Sequence, residues 1–298
     1  MLTKTELDVI QEVFVCKRED IKNIRPLKKG MTNVSYLFEI NNETFMIRTP
    51  GHGTEHLISR KQEYEVYQAI AQLNIAEKVV YLSYESGYKI TKFFKNANVC
   101  DFSKIEDVEK CISVLRAFHD EDVVVGHTFD LFERIKFYGS LYTAPSYPDY
   151  KKVRDNVFRL KAYINQLKVE YKLTHIDPNP DNFLIIQDEN DGQEKIRLID
   201  WEYAAMQDPH VDIAMFCIYV GYNRTQIDRV IDIYFNQRCP RETKIKIYAY
   251  ISICGLLWSN WCEYKKSLGV EFGEYALQQY NYAREYYKIV QDYGVLDE

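Results

Sequence analysis

Three oxygen-bearing side chains stand at spacings that suit work on a phosphate. In residues 173–185, LTHIDPNPDNFLI, Asp177 is followed five positions on by Asn182. Pro178 and Pro180 forbid a regular helix and remove backbone donors, so these polar residues sit on a rigid loop between two short strands. A second carboxylate, Asp200, directly follows the apolar run 196–199 in IRLIDWE. A carboxylate and an amide on one loop, with another carboxylate from a neighbouring hairpin, supply hard oxygen ligands suited to Mg²⁺. The remaining carboxylate can orient and deprotonate a hydroxyl. Phosphoryl transfer asks little more of a protein than such positioning and charge neutralisation. The plain alternative for Asp177 is turn formation, since Asp before Pro is common in turns. The company of Asn182 and Asp200 favours the chemical reading.

The surrounding pattern indicates how these residues are held. Thr3 and Glu6 have capping-box spacing and open a helix with Leu7, Ile10 and Phe14 on one face. Strand-like runs follow at 24–28, 34–40 and 44–49, with a turn at residues 30–33 and a second at Asn41 and Asn42. Ser59 and Gln62 predict the start of a helix carrying Tyr64, Tyr67 and Ile70, after which strands are expected at 79–84 and 88–93. Residues 94–102 are polar and read as a linker. Ser103 and Glu106 predict a helix start, with the helix ending near His119, and further helices fit 130–142 and 150–167. Residues 183–187 and 195–199 form a hairpin around 188–192, and the chain beyond Val211 reads as helical. The expected fold is α+β and bilobal. A strand-rich N-terminal lobe over 1–93 is joined by a hinge at 94–102 to a larger, mainly helical lobe over 103–298.

Composition narrows the partners. The chain has 298 residues, 46% of them apolar and 28% charged, which is ordinary for a soluble globular protein. A net charge of −6 argues against a nucleic-acid partner and accommodates a cationic small substrate. The seven cysteines include no CxxC pair, so a zinc site is not expected, and free thiols in a reducing cytosol are. The opening MLTKTELDVIQ lacks the apolar core of a secretion signal. The most apolar segment, 248–261, contains Ser252, Gly255, Ser259 and Asn260. It falls short of the roughly 20 apolar residues of a membrane span and reads as a buried helix. The expectation is a cytoplasmic protein, monomer or homodimer, without a membrane partner.

The series His175-x-Asp177-x-x-x-x-Asn182, followed by Ile199-Asp200-Trp201-Glu202, resembles the catalytic loop and metal motif of the protein-kinase-like superfamily. More closely it resembles the aminoglycoside phosphotransferase and choline kinase branch, and within it choline kinases of the bacterial Lic type. The lobe order agrees along nearly the whole chain. The resemblance implies an ATP- and Mg²⁺-dependent kinase. In it Asp177 is the catalytic base, Asn182 and Asp200 hold Mg²⁺, and His175 and Asp212 brace the loop, with Asp208 structural. LKKGMTNVSYLF would be the phosphate-covering hairpin, with Gly30, Asn33 and Ser35 as its contributors, although it has one glycine where protein kinases have three. Arg48 in TFMIRTPG stands where protein kinases carry Lys, a departure familiar from choline kinases, and Arg meets phosphate bidentately. Its implied partner is Glu63, with Glu65 in reserve. Backbone groups at Lys92, Phe93 and Phe94 would meet the adenine.

The acceptor side rests on GLLWSNWCEY, where Trp258, Trp261 and Tyr264 recur three apart on one helix face. Such a stripe is ordinarily core. Choline kinases place a Trp-x-x-Trp on a helix of this lobe, and a quaternary ammonium, which donates no hydrogen bond, is best held by aromatic faces. Glu202 and Tyr203 would add a charge and a ring, Asn179 lies in the loop beside Asp177, and Tyr219 and then Tyr222 are further candidates. The expected substrate is choline, its product feeding decoration of cell-surface glycopolymers as the resemblance implies. Ethanolamine, thiamine or an aminoglycoside are the alternatives, and a catalytically inactive ligand-binding pseudokinase is the rival of another class. An aminoglycoside would call for paired acids, and KIKIYAYISICGLLWSNW contains none.

Overall fold

A computed structural model describes residues 2–27, 33–51, 57–187 and 192–296. The chain divides into two compact units, Met1–Val99 with Asn182–Tyr203, and Cys100–Asp181 with Ala204–Glu298. Neither unit is contiguous in sequence, because the hairpin after the catalytic loop packs with the N-terminal unit.

In the first unit, helix α1 (Lys4–Phe14) begins with the capping box of Thr3 and Glu6. Strands β1 (Lys22–Pro26), β2 (Asn33–Ile40), β3 (Glu43–Pro50), β4 (Val79–Leu82) and β5 (Lys89–Lys92) form an antiparallel sheet in the order β1-β2-β3-β5-β4. The β2–β3 turn uses Asn41 and Asn42, both at positive φ (51° and 65°), the backbone that two-residue hairpins require and that Asn tolerates. Alternation along β2 and β3 buries Phe38, Ile40, Phe45 and Ile47 against Ile10 and Ile21. Helix α2 (Arg60–Ile70) starts where Ser59 accepts from the Gln62 N–H. The segment read as a linker contains a short strand, β6 (Asn98–Val99), paired with β8 (Phe183–Gln187), which in turn pairs with β9 (Glu194–Leu198). Polarity concealed β6 because its residues are exposed on that edge.

In the second unit, β7 (Lys172–Thr174) pairs antiparallel with β10 (Ala205–Gln207). Helices α3 (Ile105–His119), α4 (Leu131–Ser140), α5 (Tyr150–Gln166), α6 (His210–Val220), α7 (Arg224–Tyr234), α8 (Arg241–Ser267) and α9 (Glu274–Asp292) complete it. The expected cap of α3 is absent. The helix starts after Lys104, and Ser103 instead donates to Asp101 Oδ1 at 2.6 Å. Asp101 Oδ1 also accepts from the Ser103 N–H at 3.1 Å, an Asx turn that holds Ser103 one residue ahead of the N-cap position, Lys104. The apolar α8 packs against α4, α5, α6 and α9. Gly255 permits the α8–α9 approach, since a Cβ there would lie 2.7 Å from the Gln279 carbonyl oxygen. Among the described residues no helix is long and apolar enough to cross a membrane.

Candidate active site

The loop that carries Asp177 leaves β7 at Thr174. His175 is fully buried and Ile176 takes a left-handed backbone (φ 69°). That geometry survives because Asp212, in the first turn of α6, accepts from both consecutive amides: Oδ2 from the His175 N–H at 2.9 Å and Oδ1 from the Ile176 N–H at 2.7 Å. Asp212 is itself held by His119 Nε2 at 3.0 Å, whose Nδ1 meets the Tyr234 hydroxyl at 2.9 Å. Asp208 accepts from the His210 N–H, Lys246 and Tyr250. Burial alone would raise its carboxyl, but His210 and Lys246 hold it well below the usual carboxylate range. The turn carrying Asp177 tightens further down, where the Asn179 N–H donates to the Asp177 carbonyl at 2.8 Å and Asn179 Oδ1 accepts from the Asp181 N–H at 3.2 Å. The Asn179 side chain thus takes part in shaping the turn.

The same unit contains the aromatic set. Trp258 and Trp261 stack at 5.6 Å and 12°, Tyr219 meets Trp258 edge-on at 5.3 Å, and Phe272 lies 5.3 Å from Trp261 and 6.3 Å from Tyr275. The two indoles are buried, while Tyr219, Phe272 and Tyr275 are half-buried. Burial, then the neighbouring Cys262 and the Asp177 carboxylate, push the Tyr275 hydroxyl up, and Trp258 opposes them with a hydrogen bond. Lys265 Nζ lies 5.5 Å from the Trp261 ring, and Tyr264 is half-buried on the same helix. Tyr222 is buried and donates to the Phe102 carbonyl at 2.7 Å, a structural tie. Phe272 and Tyr275 were not among the sequence candidates. They lie beyond α8, and no periodicity on that helix includes them.

In the first unit, the Asn182 carbonyl accepts from the Ile199 N–H at 2.9 Å, which joins the end of the catalytic loop to the strand end that carries Asp200. Asp200 has φ 66°. Arg48, on β3 and 3% exposed, grips Glu63 of α2 with both terminal nitrogens at 2.7 and 2.8 Å, and its Nη1 also reaches Asp200 at 3.1 Å and Glu202 at 3.3 Å. Arg60 donates to Glu63 at 2.8 Å, to Glu202 at 3.1 Å and to Asn33 Oδ1 at 3.0 Å, while Asn33 Nδ2 donates to Glu202 at 2.9 Å. Burial would raise the Glu63 carboxyl, yet Arg48 and Lys89 together bring it down to about 2. Glu202 goes the other way, pushed up by burial and by the Asp200 charge. Glu202 is thus placed among the cations of this unit, as is Asn33. Tyr203 is buried in the same unit. Ser35 lies opposite Arg48 in the β2–β3 register. Gly30 lies outside the described residues. The Lys92 and Phe93 amides donate to the Lys78 and Thr44 carbonyls, and Lys92, Phe93 and Phe94 line a cavity of about 840 Å³ shared with Tyr64, Tyr67 and Arg197.

Glu63, Asp200 and Glu202 each offer a carboxylate oxygen within 4.8 Å of the others. Their surroundings differ. The Glu63 and Glu202 side chains are 0% and 2% exposed and committed to arginines, whereas the Asp200 side chain is 31% exposed. A metal that keeps most of its waters and takes one or two protein oxygens fits Asp200 in this setting, with Asn182 beside it.

An antiparallel-sheet unit with one inserted helix, a mainly helical unit, and a carboxylate-bearing loop between them in the chain define a protein-kinase-like phosphotransferase acting on an alcohol. The chain belongs to the choline/ethanolamine kinase family, whose pattern matches residues 24–253. Protein LicA of Haemophilus influenzae is 27% identical over 271 residues, 84% of this chain and 76% of that protein. The crystal structure of choline kinase LicA from Streptococcus pneumoniae superposes with a TM-score of 0.79 at 28% identity, covering 95% of this chain and 98% of that one. A structure of LicA in complex with AMP gives 0.80, with the same identity and coverage. The aminoglycoside phosphotransferase APH(4)-Ia shares the fold, with a TM-score of 0.66 at 15% identity over 95% of this chain and 99% of that one.

Proposed function

We propose that this choline-kinase-type enzyme transfers the terminal phosphoryl group of ATP to the hydroxyl of choline, with Mg²⁺. The observation that carries the reading is the aromatic cluster in the unit that also bears Asp177: three half-buried rings backed by two stacked indoles. A quaternary ammonium gains about 0.5–2 kcal/mol at each such face, and it donates no hydrogen bond that would call for a dedicated acceptor. Asp177 orients the choline hydroxyl and takes its proton. Asn182 and Asp200 would hold Mg²⁺, which when bound neutralises charge on the nucleotide phosphates. Arg48 faces the phosphates from β3, with Ser35 opposite it in the register and Asn33 at the start of β2. Glu63 and Glu202 fix Arg48 and Arg60. Lys92, Phe93 and Phe94 flank the adenine, and the AMP complex of LicA supports nucleotide binding as such.

The resemblance to the Lic type supports a cytoplasmic enzyme whose phosphocholine serves cell-surface glycopolymers. Incubation with ATP and Mg²⁺ against choline, ethanolamine, thiamine and an aminoglycoside tests the proposal. Choline should give the highest kcat/KM. Turnover confined to another alcohol would overturn the acceptor assignment, and no turnover with any would favour an inactive ligand-binding protein.

A further inference from the structure

Lys89 takes no part in the chemistry above, yet it is 1% exposed. A buried ammonium is tolerated only when paired and hydrogen-bonded. Nζ donates to Glu77 Oε1 at 2.7 Å and to the Tyr67 hydroxyl at 2.6 Å, and lies 4.6 Å from the Tyr67 ring centroid. It also stands 3.7 Å from Glu63 and 3.8 Å from Asp200 Oδ1. Lys89 is the register partner of Arg48, so two cations on neighbouring strands approach the same Asp200 carboxylate.

The Tyr67 hydroxyl settles the direction of the network. It donates its single proton to Glu77 Oε1 at 2.6 Å, and so acts as acceptor both for Lys89 and for the Trp201 backbone N–H at 3.4 Å. That N–H belongs to the peptide immediately after Asp200. Asp200 sits at φ 66°, a left-handed backbone that a residue with a Cβ keeps only when its surroundings impose it. On one side Trp201 is anchored by its indole N–H to the Leu198 carbonyl at 2.7 Å, and on the other its amide is tied to Tyr67. Remove the hydroxyl and the following peptide is released from that tie, while Glu77 and Lys89 lose their common partner.

We propose that Tyr67, Lys89 and Glu77 are positioning residues that fix the Asp200 turn, and with it the carboxylate, for the divalent ion. The inference rests on the reading of Asp200 as a metal ligand. It is tested on the full chain with Mn²⁺ as the probe, titrated by electron paramagnetic resonance in the presence of a saturating non-hydrolysable ATP analogue. Tyr67→Phe keeps the ring and removes only the hydroxyl, and Glu77→Gln keeps the shape. Each should weaken Mn²⁺ binding about tenfold, the scale of outer-shell changes at metal sites. The choline KM should stay within about twofold, since the acceptor site lies elsewhere. Tyr67→Phe combined with Asp200→Asn should bind Mn²⁺ no more weakly than Asp200→Asn alone, because the hydroxyl acts through that carboxylate.

Wild-type Mn²⁺ affinity in folded Tyr67→Phe overturns the proposal, as does a loss that adds to that of Asp200→Asn. Should Glu77→Gln fail to fold, Tyr67→Phe still decides. Wild-type Mn²⁺ affinity in Asp200→Asn itself would instead overturn the metal assignment, and the inference with it.

Discussion

Replacing Glu63 by Gln tests how the first unit tolerates so much buried charge. Glu63 is 1% exposed and contacts Arg48 twice and Arg60 once. Its carboxyl falls from an ordinary 4.5 to about 2. That drop corresponds to about 3 kcal/mol of folded-state stabilisation at 1.36 kcal/mol per pH unit. Independent mutational experience puts removal of one member of a buried ion pair at about 3–5 kcal/mol, since the other is left uncompensated. The two routes agree. Because the folded-state value is depressed, this stability is fully present above about pH 4.5 and is lost as pH falls through 2. Native-state hydrogen exchange is the suitable assay, because it reads each unit separately. At pH 7, α2 and β3 amides of Glu63→Gln should exchange at least about 100-fold faster than wild type, from 1.4 kcal/mol per tenfold. The ratio should shrink when both proteins are compared at pH 3. Exchange within about threefold of wild type at pH 7, or a ratio that grows on acidification, would refute the charge accounting.

Asp177→Ala and Asp200→Ala should each abolish transfer while circular dichroism and melting stay near wild type, and transfer retained by either would remove that residue from the machinery. Asp212→Asn should lower kcat and cost about 1–3 kcal/mol, because the amide NH₂ would confront one of the two loop N–H donors it now serves; an unchanged melting curve and kcat would show that the loop holds itself. Tyr275→Ala should raise the choline KM by roughly 3- to 30-fold, the equivalent of about 0.5–2 kcal/mol, with a smaller change in kcat, and Trp258→Ala should act in the same direction by removing the ring behind it. A choline KM unmoved in both would take the cluster out of the acceptor site.

What could be read in the chain before any coordinates follows from how local each signal is. The Thr3–Glu6 capping box, the Asn41-Asn42 turn and the β8–β9 hairpin depend on residues a few positions apart, and each stands where its chemistry requires. Ser103 carried an equally local signal, but the Asx turn at Asp101 holds it one residue ahead of the N-cap position. Non-local features were less legible. Lys89, Glu77 and Arg60 belong to no motif that singles them out in the sequence. Only the β3–β5 register and the fold of α2 over the sheet bring them to Arg48 and Asp200. Glu202 was placed with the cationic alcohol because it follows Asp200, whereas its carboxylate is engaged by Asn33, Arg48 and Arg60.

The two halves of the chemistry are anchored by different means, and this has a consequence for how they fail. Asp177 depends on one carboxylate, Asp212, catching two successive amides inside a helical unit. Asp200 depends on a sheet unit where opposite charges are buried together, and buried ion pairs contribute little net stability unless every member is present. Loss of any single charged partner there leaves an uncompensated ion close to the carboxylate proposed to hold the metal. The loop of Asp177, by contrast, is held by hydrogen bonds to a carboxylate that lies in the same helical unit. Substitutions in the first unit should therefore couple stability to metal binding, and substitutions among the aromatic residues should move choline recognition with little effect on metal. The sequence boundary between the two regimes falls at Asp181 and Asn182, within one continuous loop.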